Sequence, residues 1–219
     1  MFRQWSSMFK VCVLVGFCVL GSVVCIAEVP SGKLVFSEDF SKANPGDSVA
    51  TIKGWEVISQ NGASFTIEND HSVKITHSVW NGTSYSNDSM AYKLDKKVEK
   101  GSIELELKLV SPAASWSLQI YVGNQMCAFE RNVWRFLLSG DGKWHEIEPL
   151  EFDKWHLIRI DFDTTADPPF IKFYADGKDI VQIPRENFTG MDTVTLGDYG
   201  ACKDRIVNYV RNIKVYSEK

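Results

Sequence analysis

Few side chains in this chain have chemistry to offer. The four histidines, His71, His77, His145 and His156, lack the His-Glu-x-x-His spacing that turns two imidazoles toward one zinc ion. No Gly-x-Ser-x-Gly, Walker or dinucleotide-binding string is present, so acyl transfer and nucleotide chemistry have no support. Glu104 and Glu106 stand two apart. In a strand they share a face, where paired carboxylates could act on a glycosidic bond. Lys108 continues that row, and a solvated charged face accounts for all three. Asp161, Asp163 and Asp167 carry the hard oxygens that calcium takes, although scattered surface aspartates are the commoner origin of such a group. No catalytic residue and no cofactor is assigned, and structural calcium is the one ion these residues admit.

Sugars are held by aromatic faces and by planar polar groups that reach hydroxyls. From Ser115 to Val122 the side chains alternate, with Trp116, Leu118, Ile120 and Val122 on one side and Ser117, Gln119 and Tyr121 on the other. Gln119 and Tyr121 would meet a ligand if that second side is the open face of a sheet. Arg131 or Arg135 with Trp134 on the next strand, and Trp80 with Asn81 on a loop rim, complete the expected ligand-binding set. Burial is the competing role for each tryptophan, and Trp55, Trp144 and Trp155 read as core or turn-shielding residues.

The elements that must position these groups are strands. Period-two alternation recurs, as in Ser102 to Leu109, where Ile103, Leu105, Leu107 and Leu109 face one way, and in His156 to Asp163 around Ile158, Ile160 and Phe162. Asp176-Gly177 lies between two such runs, Phe170 to Ala175 and Asp179 to Ile183, and predicts a hairpin turn. Asp141-Gly142 predicts another. With Lys33 to Phe40, Trp55 to Ser59, Ala63 to Glu68, Val73 to His77, Met90 to Leu94, Trp116 to Val122, Cys127 to Leu137, Thr193 to Leu196 and Ile206 to Tyr216, about a dozen strands are expected. Helical periodicity is hard to find after residue 30, and no linker or repeat divides the chain. This is an all-β, two-sheet antiparallel sandwich.

Arg3 and Lys10 precede an apolar run from Val11 to Val24, followed by Cys25, Ile26 and Ala27. That pattern reads as a signal peptide over residues 1–27, with one domain over 28–219 and a secreted, extracellular or periplasmic product. The run is shorter than the roughly 20 apolar residues of a membrane span. Without those two cations, 22 basic residues face 28 acidic ones, a net charge of −6. A mildly acidic chain with no cationic block is a poor partner for nucleic acid. Cys127 and Cys202 remain after signal cleavage and are a candidate disulfide in an oxidising compartment, with two separate buried thiols as the alternative.

Three groups of residues resemble a known family. Leu34-Val-Phe-Ser-Glu-Asp-Phe40 with Pro45-Gly46 and Gly54-Trp55-Glu56-Val57 is similar to the opening of concanavalin A-like, laminin-G-like modules. Asn212-Ile213-Lys214-Val215-Tyr216 resembles their closing strand. Trp155-His156 followed by Asp176-Gly177-Lys178 resembles their central hairpin. The resemblance implies a jelly roll and covers most of the mature chain, but the matching positions belong to core and turns. The Glu-x-Asp-x-x-Glu string of laminarinase-like hydrolases is absent, and Gln119-Ile120-Tyr121 has Tyr where alginate-lyase-like proteins carry His. The expected function is therefore a secreted, non-catalytic, lectin-like module for a polysaccharide or glycan. A lyase or hydrolase with a divergent site, or a structural or adhesion protein, is the alternative.

Overall fold

The computed structural model describes residues 30–58, 62–76, 88–110, 118–130, 135–139, 142–147, 150–198 and 207–219. Residues 1–27, read above as a signal peptide, lie outside them. The described chain runs through β1 (Lys33–Glu38), β2 (Trp55–Ile58), β3 (Ser64–Ile67), β4 (Val73–Thr76), β5 (Ser89–Val98), β6 (Lys100–Leu109), β7 (Leu118–Val122) and β8 (Gln125–Glu130). It continues through β9 (Arg135–Leu138), β10 (Trp144–Glu146), β11 (His156–Asp163), β12 (Phe170–Ala175), β13 (Lys178–Pro184), β14 (Met191–Asp198) and β15 (Val207–Ser217). Apart from one 3-10 turn at Val49–Thr51, no helix occurs among the described residues.

All pairings between these strands are antiparallel, and they form two sheets. One has the order β13-β12-β11-β6-β15-β4-β3, with β1 also on β15; the other has the order β10-β9-β8-β7-β14-β5-β2. Their apolar inner faces meet in a single core, as two half-wet sheets must. The alternation read from sequence sets the faces: Ile103, Leu105, Leu107 and Leu109 are each no more than 1% exposed. Phe173 of the first sheet stacks on Phe136 of the second at 4.1 Å between ring centroids and reaches Phe129 at 5.7 Å. These rings join the layers.

The motifs that carried the family resemblance have local physical causes. Asp176 and Gly177 take φ of 47° and 75°, the paired left-handed values of a two-residue hairpin turn. His156 grips that turn, with Nδ1 2.7 Å from Asp176 Oδ2 and Nε2 2.8 Å from the Glu151 carbonyl. Asn212 has φ 53° at a register shift between Arg211 and Lys214. Before this bulge β15 pairs with β4, and after it with β1. Asparagine suits the position because it tolerates left-handed backbone, and its Nδ2 donates to Glu106 Oε1 at 2.6 Å.

Two features depart from the sequence reading. The run Cys127 to Leu137 is two antiparallel strands, β8 and β9, in register Cys127↔Leu138 and Phe129↔Phe136. Inward residues are odd-numbered at Cys127 and Phe129 but even-numbered at Phe136 and Leu138, and such a change of phase marks a turn. The gap expected between Met90–Leu94 and Ser102–Leu109 is also strand. β5 and β6 are separated by Glu99 alone and belong to different sheets. Gly101 allows this crossover, since a Cβ there would stand 2.0 Å from the Tyr216 carbonyl oxygen.

Candidate functional site

β7 presents Leu118, Ile120 and Val122 to the core, all at 0% exposure, so alternation turns Gln119 and Tyr121 to the outer face of the seven-stranded sheet. Cross-strand register sets Gln119 between Ala128 and Gly197, and Tyr121 between Met126 and Thr195. The row through Gln119 continues to Leu137 and Trp144 on one side and to Ser89 and Ile58 on the other. Small residues thus flank Gln119 on both sides.

The Tyr121 hydroxyl donates to Gln119 Oε1 at 2.7 Å. Gln119 was expected to stand open toward a ligand, but it is only 1% exposed. Ala128 and Gly197 leave room for its amide to lie low along the sheet. A Cβ on Gly197 would come within 3.2 Å of Gln119 Oε1 and 3.5 Å of Tyr121 Cε2. Gln119 Nε2 is buried with no acceptor among the described residues. Tyr121 is half-buried and is the part of the pair that reaches the surface.

Trp144, read as a core or turn-shielding residue, is not part of the core. It lies half-buried on this outer face, with the Arg135 guanidinium 4.5 Å from its ring centroid. His145, next in the strand, stacks on Phe136 toward the core. Trp144 pairs with Leu137 in register with β9. Of the other candidates, Arg131, Trp134 and Trp80 lie outside the described residues, as does Cys202. Cys127 is a free, fully buried thiol; burial pushes its pKa up to about 12, against the opposing charge of Arg185.

The outer face of the eight-stranded sheet is closed by its own charges. Glu106 accepts from Arg211 Nε at 2.7 Å as well as from Asn212, so it is not a free carboxylate. Trp155, also read as core or turn-shielding, lies half-buried on this face between Lys108 at 4.9 Å and Arg211 at 4.1 Å. The three aspartates considered for calcium are committed elsewhere or apart. Asp161 takes two hydrogen bonds from Arg159 at 2.6 and 2.7 Å, and Asp167 is exposed. Asp163 Oδ1 accepts from the Thr165 amide and hydroxyl and from the Ala166 amide. Burial works against the Asp163 charge, but the Thr165 hydrogen bonds and Lys100 outweigh it and hold the pKa below the ordinary carboxylate value. Among the described residues no three His, Cys, Asp or Glu side chains converge as metal ligands.

No protein-family model and no curated protein matches this chain. Solved structures do. A sialidase superposes with a TM-score of 0.65 at 15% identity, covering 86% of this chain but only 19% of its own length. The carbohydrate recognition domain of Emp47p gives 0.54 at 14% identity, covering 85% of this chain and 98% of that one. The endo-1,3-beta-glucanase from Streptomyces sioyaensis gives 0.57 at 12% identity, with 86% and 98% covered. With two antiparallel sheets packed on one core, these likenesses show that the chain has a concanavalin A-like jelly-roll fold.

Proposed function

We propose that this chain is a non-catalytic module, exported by way of residues 1–27, that binds a polysaccharide or glycan on the outer face of its seven-stranded sheet. One observation carries the reading. That face combines the half-buried Tyr121, hydrogen-bonded to Gln119 beneath it, with the half-buried Arg135–Trp144 stack, whereas ion pairs and cation–ring contacts close the opposite face of the sandwich. Aromatic rings beside planar polar groups suit the C–H faces and hydroxyls of a sugar. The similar structures include a carbohydrate recognition domain, which supports this reading.

Glycosidases hold two carboxyl groups about 5–10 Å apart. Glu56 and Glu146, exposed on the outer face, belong to the two opposite edge strands, β2 and β10. A hydrolase or lyase is the second reading, because a sialidase and a glucanase share the fold. A polysaccharide and glycan array on the purified chain, with parallel detection of reducing ends and unsaturated products, separates the two. Binding without products, weakened in Tyr121→Ala, is expected. Products would make the chain an enzyme, and silence on both readouts would point to a structural role.

A further inference from the structure

We propose that Asn187 is an acceptor for an N-linked glycan, added as the chain is exported. The inference rests on the export part of the reading above and not on the sugar-binding face. Three triplets have the Asn-x-Ser/Thr form of such an acceptor: Asn81-Gly82-Thr83, Asn87-Asp88-Ser89 and Asn187-Phe188-Thr189. The first lies outside the described residues, as does Asn87. In the second triplet Asp88 is 0% and Ser89 9% exposed, so the residue that carries the hydroxyl is taken into β5. The third falls in the turn between β13 and β14. There Asn187 and Thr189 are exposed on either side of Phe188, which is only 8% exposed.

The fold holds this triplet by its backbone and its middle residue and leaves the two outer side chains to solvent. Phe188 meets Phe162 edge to face at 5.9 Å between ring centroids. Asn124 Nδ2 donates to the Asn187 carbonyl at 2.9 Å, and Asn124 Oδ1 accepts from the Thr189 amide at 3.2 Å. Gly123 packs closely here, since a Cβ on it would run into the Gly190 carbonyl oxygen and stand 3.1 Å from Phe188 Cε2. The Asn187 side-chain amide and the Thr189 hydroxyl have no hydrogen bond among the described residues. Backbone geometry accounts for the asparagine, because φ at Asn187 is 60° and asparagine tolerates left-handed backbone. It gives no use to the Thr189 hydroxyl, which is the second group that an acceptor triplet requires. In the transfer, Asn187 Nδ2 forms a bond to the anomeric carbon of an oligosaccharide carried on a lipid pyrophosphate. The bond from that carbon to the phosphate oxygen breaks, the lipid pyrophosphate departs with its electron pair, and the amide nitrogen gives up one proton to a base of the transferase. Residues 185–190 carry the chain from β13 of one sheet to β14 of the other, so a glycan on Asn187 stands at an end of the sandwich and leaves both outer faces uncovered.

The test expresses the full chain in cultured insect cells and uses only protein recovered from the medium, so that export has taken place. Peptide N-glycosidase F in heavy-oxygen water converts a glycosylated asparagine to labelled aspartate. Mass spectrometry of the peptide that holds Asn187 then reads this site apart from the other two triplets. Label at position 187 is expected, in an amount that falls at least tenfold in Thr189→Ala and persists in Thr189→Ser. Thr189 is exposed, so both variants should melt with the parent chain. If Thr189→Ala fails to fold, the label on the parent chain and on Thr189→Ser decides. Unlabelled Asn187 on secreted protein, or label that survives Thr189→Ala, would overturn the inference. Retention of the chain inside the cell would overturn the export reading alone, and the comparison is then run with the cell's own export signal in place of residues 1–27.

Discussion

Removing the hydroxyl of Tyr121 perturbs the stability of this domain in a way the geometry makes quantitative. Gln119 Oε1 has Tyr121 as its donor, and the side chain is 1% exposed. Tyr121→Phe keeps the ring but strands a buried acceptor on an amide whose nitrogen already lacks a partner among the described residues. Leaving such a group unsatisfied costs about 1–3 kcal/mol, more than the net worth of an ordinary hydrogen bond. At ~2–4 °C per kcal/mol for a domain of this size, the melting temperature should fall by about 2–12 °C. Gln119→Met should be far milder, because it replaces a half-satisfied amide with an apolar chain of similar shape. The double variant should recover most of the loss, giving a coupling energy of about 1 kcal/mol or more. Urea unfolding of the four proteins measures the cycle. A Gln119→Met cost equal to or above that of Tyr121→Phe, or a coupling near zero, would refute the reasoning.

Other consequences can be checked with the same preparations. Gly101→Ala should cost about 3 kcal/mol, since its Cβ would fall 2.0 Å from the Tyr216 carbonyl oxygen; urea unfolding reads it. The folded-state pKa of Asp163 is depressed, so its charge contributes stability above the unfolded value near ~3.9, and that contribution is lost as pH falls through the folded value. Asp163→Asn should therefore flatten stability against pH between about pH 5 and the acid limit, and an unchanged slope would count against the Thr165 and Lys100 contacts. Cys127 should resist thiol reagents in native buffer and react on unfolding, as its burial requires. Peptide mapping under non-reducing conditions reports this, and recovery of a Cys127–Cys202 peptide would contradict the free thiol.

The fold was legible because alternation and turns are local. β11 and β12 fall on His156–Asp163 and Phe170–Ala175 as read, and Asp176-Gly177 makes the predicted turn. The continuous passage from β5 to β6 was not legible, because the chain changes sheets through a single residue and sheet membership leaves no mark on period-two alternation. Nor did one run of mixed residues show itself as β8 and β9 without attention to phase at Phe129 and Phe136. For the site, alternation placed Gln119 and Tyr121 on the outer face. The depth of Gln119 was hidden because it depends on Ala128 and Gly197, which pairing brings alongside from other strands. The core option for Trp144 failed because a tryptophan's hydrophobic bulk suggests burial, whereas its three-residue edge strand turns it outward beside Arg135.

The pairing of β1 with β15 also decides how the domain responds to force. Lys33 lies opposite Ser217, so the two ends of the jelly roll leave side by side from one antiparallel pair. Tension applied through those ends pulls the pair apart like a zipper, one rung at a time, and does not shear all its hydrogen bonds together. Lys100, which bridges Glu218 and Asp163 at 3.1 and 3.3 Å, sits where the first rung would open. A module suspended this way would peel from its edge under modest load while the stacked rings of Phe136 and Phe173 still hold the two layers together.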